Sequence, residues 1–210
     1  MLITQHKEKL IEAISYFVKN TKYCGTLKLF KLLYWLDYHH FRETGKSVTA
    51  LEYFALPMGP VPTSLYEQIQ KKSGEIAEHF VITAYKRSEG DSRIRTIDDD
   101  DFPVEPTRTF QFAPTTIKPK KTYKHRYLTR REMRIAEELA EIFRDAKAED
   151  ISDISHVRGG PWHKALKSSG PNSRIDFLSS LVPMRDGVYL EEEELRERVA
   201  DREELLRNLV

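Results

Sequence analysis

The spacing of hydrophobic side chains near the amino terminus predicts two helices of different character. In residues 5–19 the apolar positions recur on one face, which is the pattern of a surface helix with a single buried stripe. In residues 26–44 leucines form one face, and aromatic side chains extend the apolar surface almost all the way round. A helix of that kind is normally central, because neighbours must cover most of its sides. Gly45 supplies its C-terminal stop.

Strand and turn signals follow the second helix. Residues 48–56 have the extended apolar spacing of a strand, whereas three prolines within residues 57–62 predict irregular chain. A weaker strand-like pattern runs from residue 80 to 112, with a hairpin turn at residues 89–91 and an acidic tip at 98–101. The prolines at 103, 106, 114 and 119 predict irregular surface chain.

The second half of the chain is predicted to be helical. Thr129 and Glu132 have the spacing of a capping box and start a helix with a strong apolar stripe. Four further helices are expected at residues 149–156, after the Gly-Gly-Pro turn at 159–161, at 175–181 and at 190–210.

Together these elements predict an α+β fold that is predominantly helical. The central hydrophobic helix at residues 26–44 is wrapped by other helices, and a small antiparallel β-sheet lies on one side. Residues 1–183 are expected to form one domain, and residues 184–210 a charged C-terminal helix that adjoins it.

Composition indicates where the protein is located, but it does not indicate which class of partner it binds. The chain has 210 residues, with 34 Lys and Arg against 33 Asp and Glu, so the net charge of +1 favours no class of partner. Cys24 is the only cysteine, which excludes an intramolecular disulfide and a zinc site built on several cysteines. No apolar run approaches the roughly 20 residues that cross a bilayer. We therefore expect a cytoplasmic protein without membrane contact.

Two groups of residues raise the question of catalysis. Asp37, His40 and Glu43 lean toward one side of the second helix and have the side chains of a divalent-metal site. Since the rest of that helix is apolar, a buried, hydrogen-bonded histidine–carboxylate cluster is the favoured interpretation, with a metal hydrolase as the alternative. Ser155 and His156 are adjacent in a helix and point about 100° apart, so they do not face one another as nucleophile and base. His156 is expected to cap its helix or to bond the Gly-Gly-Pro turn.

Two surfaces are candidates for binding a partner. Residues 118–134 contain eight basic residues and one acidic residue, with Tyr123 and Tyr127 among them. Lysine and arginine neutralise phosphates, and tyrosines can stack on unpaired bases, so both nucleic acid and an acidic protein suit this segment. The second candidate is the proline-rich loop, because a rigid loop loses little entropy on binding. The candidate contact residues are Met58, Pro60, Val61, Tyr66, Lys120, Lys121, Lys124 and Arg126.

Two stretches of this sequence resemble a known family. The first runs from Lys31 to Phe41 and continues through Glu43-Thr44-Gly45, Leu51-Glu52-Tyr53 and the Pro-Met-Gly-Pro-Val-Pro segment to Leu65-Tyr66. The second contains Ile151, a Ser-His pair and a Pro-Trp pair. Both are similar to motifs of the SocA-like antitoxins, also called the Panacea domain. Gly159-Gly160 and the tail after Pro183 depart from that pattern.

The resemblance implies a non-enzymatic binding module without a cofactor or metal. It implies an antitoxin that neutralises a cognate toxin by direct contact, and one relative is similar in being an adapter that delivers its toxin to a protease. The alternative function is a nucleic-acid-binding repressor that uses residues 118–134. The motif residues are expected to be structural: Lys31, Leu33, Tyr34, Asp37, His40, Gly45, Tyr53, Gly59, Ser155, His156, Pro161 and Trp162.

Overall fold

The computed structural model describes residues 5–84, 115–124, 126–156, 158–179, 181 and 189–208. Two helices open the chain, α1 (His6–Asn20) and α2 (Thr26–Thr44), and the predicted bounds of α2 are confirmed. Gly45 ends α2 in the left-handed conformation with φ of 72°, and its amide donates to the Phe41 carbonyl. Only glycine adopts this conformation without steric cost, so the predicted stop is confirmed.

Helix α2 lies at the centre of the molecule, as its apolar circumference predicts. Leu29, Phe30, Leu32, Leu33 and Leu36 are completely buried. The helix contacts elements from the beginning, the middle and the end of the chain. With eight helices and two small sheets among the described residues, the fold is α+β and predominantly helical. The remaining helices are α3 (Thr63–Lys71), α4 (Gly74–His79), α5 (Arg130–Ile142), α6 (Ala148–Ser155), α7 (Pro161–Ser169) and α8 (Glu192–Arg207).

The proline-rich segment forms regular structure, so the prediction of irregular chain there is wrong. Strands β1 (Phe54–Leu56) and β2 (Gly59–Val61) form a tight antiparallel hairpin in which Ala55 lies opposite Pro60. Ala55 directs its N–H to Ser173 and its carbonyl to Asn172, on the other side. The hairpin therefore needs no N–H from Pro60, and a proline is compatible with this strand position. The strand predicted for residues 48–56 is reduced to its last three residues.

The predicted small antiparallel sheet is present as two separate two-stranded pairs, and the second pair comes from later in the chain. Strand β3 (Phe80–Ala84) pairs with β4 (Thr115–Pro119), and Phe80 lies opposite Pro119. The strand at residue 80 is confirmed, whereas β4 lies where prolines predicted irregular chain. It alternates buried Thr115 and Ile117 with exposed neighbours, so one face packs on the core. The predicted turn at 89–91, the acidic tip and the apolar positions from 94 to 112 lie outside the described residues.

The predictions for the later helices are confirmed with one exception. Helix α5 begins after Thr129 with both hydrogen bonds of the capping box. The described residues 175–179 and 181 form no helix, because Ile175 donates its amide to the Tyr53 carbonyl and continues the edge of the hairpin. Asp176 then accepts hydrogen bonds from the amides of Leu178 and Ser179, which holds a turn. Helix α4, which the sequence pattern did not predict, begins at Gly74.

Helix α8 joins the fold through its first half. Leu195 is completely buried, and it packs in a small cluster with Phe41 and Leu181. A Cβ atom at Gly45 would touch Arg198 and Val199, so α8 lies directly against the end of α2. The later residues of α8 are exposed, including Leu205 at 52% and Leu206 at 43%. Among the described helices, none is long and apolar enough to cross a membrane.

Candidate functional site

Asp37 organises the chain that follows α2. The carboxylate is completely buried, and Oδ1 accepts from the amides of Val48 at 2.7 Å and Thr49 at 2.8 Å. Oδ2 accepts from the hydroxyls of Thr49 and of Tyr53, the latter at 2.8 Å. Burial raises the pKa of Asp37 above its usual range, although these hydrogen bonds oppose the rise. Every lone pair that a metal would need is committed to a donor of the chain itself.

His40 and Glu43 belong to separate networks, so the predicted cluster with Asp37 is wrong. The ring of His40 bonds the Lys46 carbonyl through Nδ1 at 2.7 Å, and Nε2 lies 3.8 Å from Glu132. Burial lowers the pKa of His40, so the neutral ring donates to that carbonyl. Glu43 pairs with Arg134 at 2.6 Å. Within the described part of the chain, no three residues with metal-ligating side chains come together.

A second polar cluster joins the two sequence motifs at Gly59. A Cβ atom at Gly59 would collide with Lys31 Nζ and would lie 2.8 Å from both Ser155 Oγ and His156 Nε2. The three polar atoms thus surround one point beside the hairpin turn, where φ of Gly59 is 90°. Lys31 is completely buried, and its side-chain nitrogen donates to the Met58 carbonyl. The cluster fixes the β1–β2 hairpin on α2 and α6.

Lys31 and Ser155 of this cluster are buried, and His156 is half-buried. Burial lowers the pKa of Lys31 well below its usual range. Burial, with Lys31 nearby, also lowers the pKa of His156 to about 3. Ser155 is 4% exposed, and its hydroxyl donates to the Ser152 carbonyl at 2.7 Å. The serine is therefore committed to the end of α6.

The Pro-Trp motif covers the cluster from the other side. Pro161 starts α7 at its first turn, where its missing N–H costs nothing. Trp162 donates its indole N–H to the Leu56 carbonyl at 2.9 Å. The ring of His156 packs edge-on against the Trp162 ring, with the ring centres 4.4 Å apart. The expected bond from His156 to the Gly-Gly-Pro turn is wrong: His163 Nδ1 accepts the Gly159 amide instead, at 3.2 Å.

The two motifs thus form one contiguous unit on α2, the hairpin, α6 and α7. The sequence profile of a family described as "Antitoxin SocA-like, Panacea domain" matches residues 29–163, which is more than half of the chain. The chain belongs to the Panacea-domain family of SocA-like antitoxins. Comparisons with curated proteins and with solved structures found no match.

The β1–β2 hairpin does not form the exposed contact loop that its prolines predicted. Met58 is 6% exposed, Pro60 and Val61 are buried, and Tyr66 is half-buried. The expectation of an exposed proline loop is therefore wrong for the first three residues. The prolines shape a turn that packs inward, because Lys31 holds the Met58 carbonyl and Val61 packs in the main core.

The basic segment, residues 118–134, lies on the outside of the Panacea domain. Lys120, Lys121, Lys124 and Arg126 are all exposed. Their position depends on Glu12 of α1, a residue that the sequence analysis did not single out. Its buried carboxylate accepts the amides of Arg126 at 2.8 Å, Tyr127 at 2.9 Å and Leu128 at 3.1 Å. A glutamate at one position of the buried stripe of α1 was the only signal in the sequence.

Proposed function

We propose that this chain is an antitoxin that neutralises a cognate toxin by direct protein–protein contact, and that the basic segment is part of the contact surface. Membership of the SocA-like antitoxin family is the observation that carries the antitoxin role. The choice of surface rests on exposure, because the basic side chains are accessible and Met58, Pro60 and Val61 are buried.

The way the segment is held also supports a contact surface. Three consecutive backbone amides bind one carboxylate of α1, so the chain around Arg126 is fixed before a partner arrives. A surface that is already ordered loses less conformational entropy on binding than a flexible one. Exposed lysines add long-range attraction to an acidic partner, which raises the association rate at low salt.

Co-expression with the product of the neighbouring open reading frame tests the function. We expect that product to arrest growth alone, and this chain to restore growth and to co-purify with it. The variant Lys120→Glu/Lys121→Glu/Lys124→Glu should lose rescue and binding. The control variant Lys147→Glu/Lys167→Glu/Arg207→Glu makes the same charge change on exposed residues outside the segment and should retain both. Normal binding by the first variant at low salt would remove the segment from the interface.

Two mechanisms of neutralisation give different results in the same cells. Steric inhibition leaves the amount of toxin unchanged, whereas delivery to a protease shortens its half-life. An immunoblot after translation arrest, with and without this chain, separates them.

The repressor function is the alternative for the same segment. It predicts tight, sequence-dependent binding to DNA that weakens steeply with salt. A gel-shift assay with the promoter region measures this. Such binding, together with failure to rescue growth, would replace the proposed function.

A further inference from the structure

A groove opens on the surface between α1 and the chain that follows β4. Ser15 and Lys19 line one side, residues 119–123 line the other, and the volume is about 410 Å³. Three of the described lining residues are lysines, namely Lys19, Lys120 and Lys121, and none of the described lining residues is acidic. Lys19 comes from the last turn of α1, so residues far apart in sequence contribute to one positive surface.

The three lysines have no acidic partner within the part of the chain that the structure describes. Many exposed cations elsewhere do, at distances of 2.6 to 3.1 Å. The pairs are Lys7–Glu75, Lys22–Asp145, Lys71–Glu67, Arg134–Glu138, Arg174–Glu52, Arg196–Glu192 and Arg198–Glu194. Like charges that share a groove repel one another, so a ligand with several negative charges is attracted there.

Two of the lysines are already held by the protein. Lys120 donates to the Ala77 carbonyl at 2.6 Å, and the Lys121 ammonium lies 5.5 Å from the centre of the Tyr123 ring. Tyr123 is fixed in turn, because its hydroxyl lies 2.6 Å from Nδ1 of His79. An ammonium group bound to one carbonyl keeps further N–H donors for a ligand. The groove therefore offers two positioned cations, Lys120 and Lys121, beside Lys19.

The contacts that the Tyr123 ring already makes favour a ligand with carboxylates over a ligand with nucleobases. The ring stacks on Phe80 with centres 6.1 Å apart, and it also has the Lys121 ammonium over it. A base binds single-stranded sites by stacking on an accessible aromatic face. Among the described residues, Tyr123 is the only aromatic one that lines the groove, and these two contacts use its ring. Charge recognition without base stacking suits an acidic peptide.

We propose that this groove binds an acidic, extended segment of the partner protein, with Lys19, Lys120 and Lys121 contacting its carboxylates. The inference rests on the proposed function, since it names the chemistry of the partner at the same surface. It adds Lys19 of α1 to the interface and places the contact in a defined groove. Carboxylates of the partner segment occupy positions between the two walls.

Fluorescence anisotropy with a labelled decapeptide of alternating Glu and Gly tests the groove. We expect binding at low ionic strength that weakens as salt screens the charges. The peptide with Gln in place of Glu should not bind. The variant Lys19→Gln/Lys120→Gln/Lys121→Gln should lose at least tenfold in affinity, and Lys147→Gln/Lys167→Gln/Arg207→Gln should remain within twofold of the wild type.

Three results would overturn the inference. They are no binding of the Glu-Gly peptide at low salt, equal binding by the groove variant, and tighter binding of single-stranded oligothymidine of matched charge. The last would assign the groove to nucleic acid.

Failure of the groove and failure of the proposed function remain distinct. If the groove variant still rescues growth and co-purifies with the toxin, the antitoxin function stands and the groove is not its interface. If the acidic peptide binds but no toxin is neutralised, the groove stands and the function fails.

Discussion

Two sets of lysines in this molecule show how surroundings decide what a side chain does. Lys28 and Lys31 of α2 are completely buried, whereas Lys19, Lys120 and Lys121 lie in an open groove. Lys28 donates to the carbonyls of Phe143 at 2.7 Å and Ala146 at 2.6 Å, at the end of α5. Lys31 holds the hairpin through Met58.

The buried lysines join distant parts of the chain, whereas within the described chain only Lys120 of the groove lysines bonds another segment, at the Ala77 carbonyl. A buried ammonium group is costly unless its donors are satisfied, and backbone carbonyls at turns and helix ends supply acceptors where helices leave them free. Each buried lysine thus ties the first half of α2 to a segment far away in sequence. The groove lysines have no such cost, because water solvates them. Their charge is free to act on a partner.

The largest effect is expected from placing a charge in the buried region. Met58→Asp should destabilise the protein by about 4 kcal/mol or more, because an unpaired carboxylate would be buried beside the hairpin turn. Met58→Leu conserves volume and should cost less than about 1.5 kcal/mol. Urea unfolding of both variants measures the difference. A stable Met58→Asp protein would show that the hairpin opens easily, and would return it to the list of contact surfaces.

Gly59→Ala probes the same region through its backbone. A Cβ atom there requires both a left-handed conformation and displacement of Lys31, so we expect a loss of about 2–5 kcal/mol. Gly159→Ala is the matched control, because φ is 82° and no atom lies within 4 Å of the added Cβ. The control should lose only about 1–2 kcal/mol. Equal losses in the two unfolding curves would mean that the polar cluster adapts without cost.

Periodicity predicted the elements that carry it along their whole length. The apolar surface of α2 and the Gly45 stop gave its bounds, and the Thr129–Glu132 spacing gave the start of α5. Strand β2 was missed because a proline is compatible with a short strand only where the pairing does not require the N–H that proline lacks. The sequence pattern does not show which N–H groups the pairing requires. The turn at residues 176–179 replaced a predicted helix because Ile175 found a hydrogen-bond partner in the hairpin.

The residues of the candidate site were predicted, but their arrangement was not, because it depends on contacts between distant segments. The motif residues were identified together, but their arrangement around Gly59 depends on three elements meeting at one point. Glu12 and Lys28 were missed because each is a single charged residue in a helical pattern, where a solvent-exposed role is the usual expectation. Their roles come from backbone groups more than 100 positions away in sequence. Local pattern contains no information about such partners.

Glu12→Gln tests what holds the basic segment in place. A glutamine side chain has one acceptor oxygen where the carboxylate has two, so at least one backbone amide loses its partner. We expect a loss of about 1–3 kcal/mol and faster hydrogen exchange at the amides of Arg126, Tyr127 and Leu128. Glu8→Gln, on an exposed position of the same helix, should change neither. Unchanged exchange in Glu12→Gln would mean that other contacts order the segment.

Lys31 should also make stability depend on pH. Because burial lowers its pKa well below 10.5, the unfolded chain keeps a proton that the folded chain has released, over the range between the two values. Stability then rises with pH in that range, by up to about 1.4 kcal/mol per unit. Unfolding free energies between about pH 7 and 9.5, below the ordinary pKa of tyrosine, should show a smaller slope for Lys31→Met than for wild type. Exposed Lys147→Met should keep the wild-type slope, and an unchanged slope in Lys31→Met would mean that the folded chain retains this proton.

Substitution of the three groove lysines should have the smallest effect on stability and the largest effect on binding. Replacing Lys19, Lys120 and Lys121 by Gln removes no acidic partner within the described chain, and relief of mutual repulsion offsets the lost contact to the Ala77 carbonyl. Each substitution should therefore change the unfolding free energy by less than about 0.5 kcal/mol. Thermal unfolding beside the anisotropy titration gives both quantities for the same protein. A marked loss of stability would mean that these lysines, like those of α2, hold the fold together. Their loss of binding would then be a consequence of misfolding and would not identify a contact.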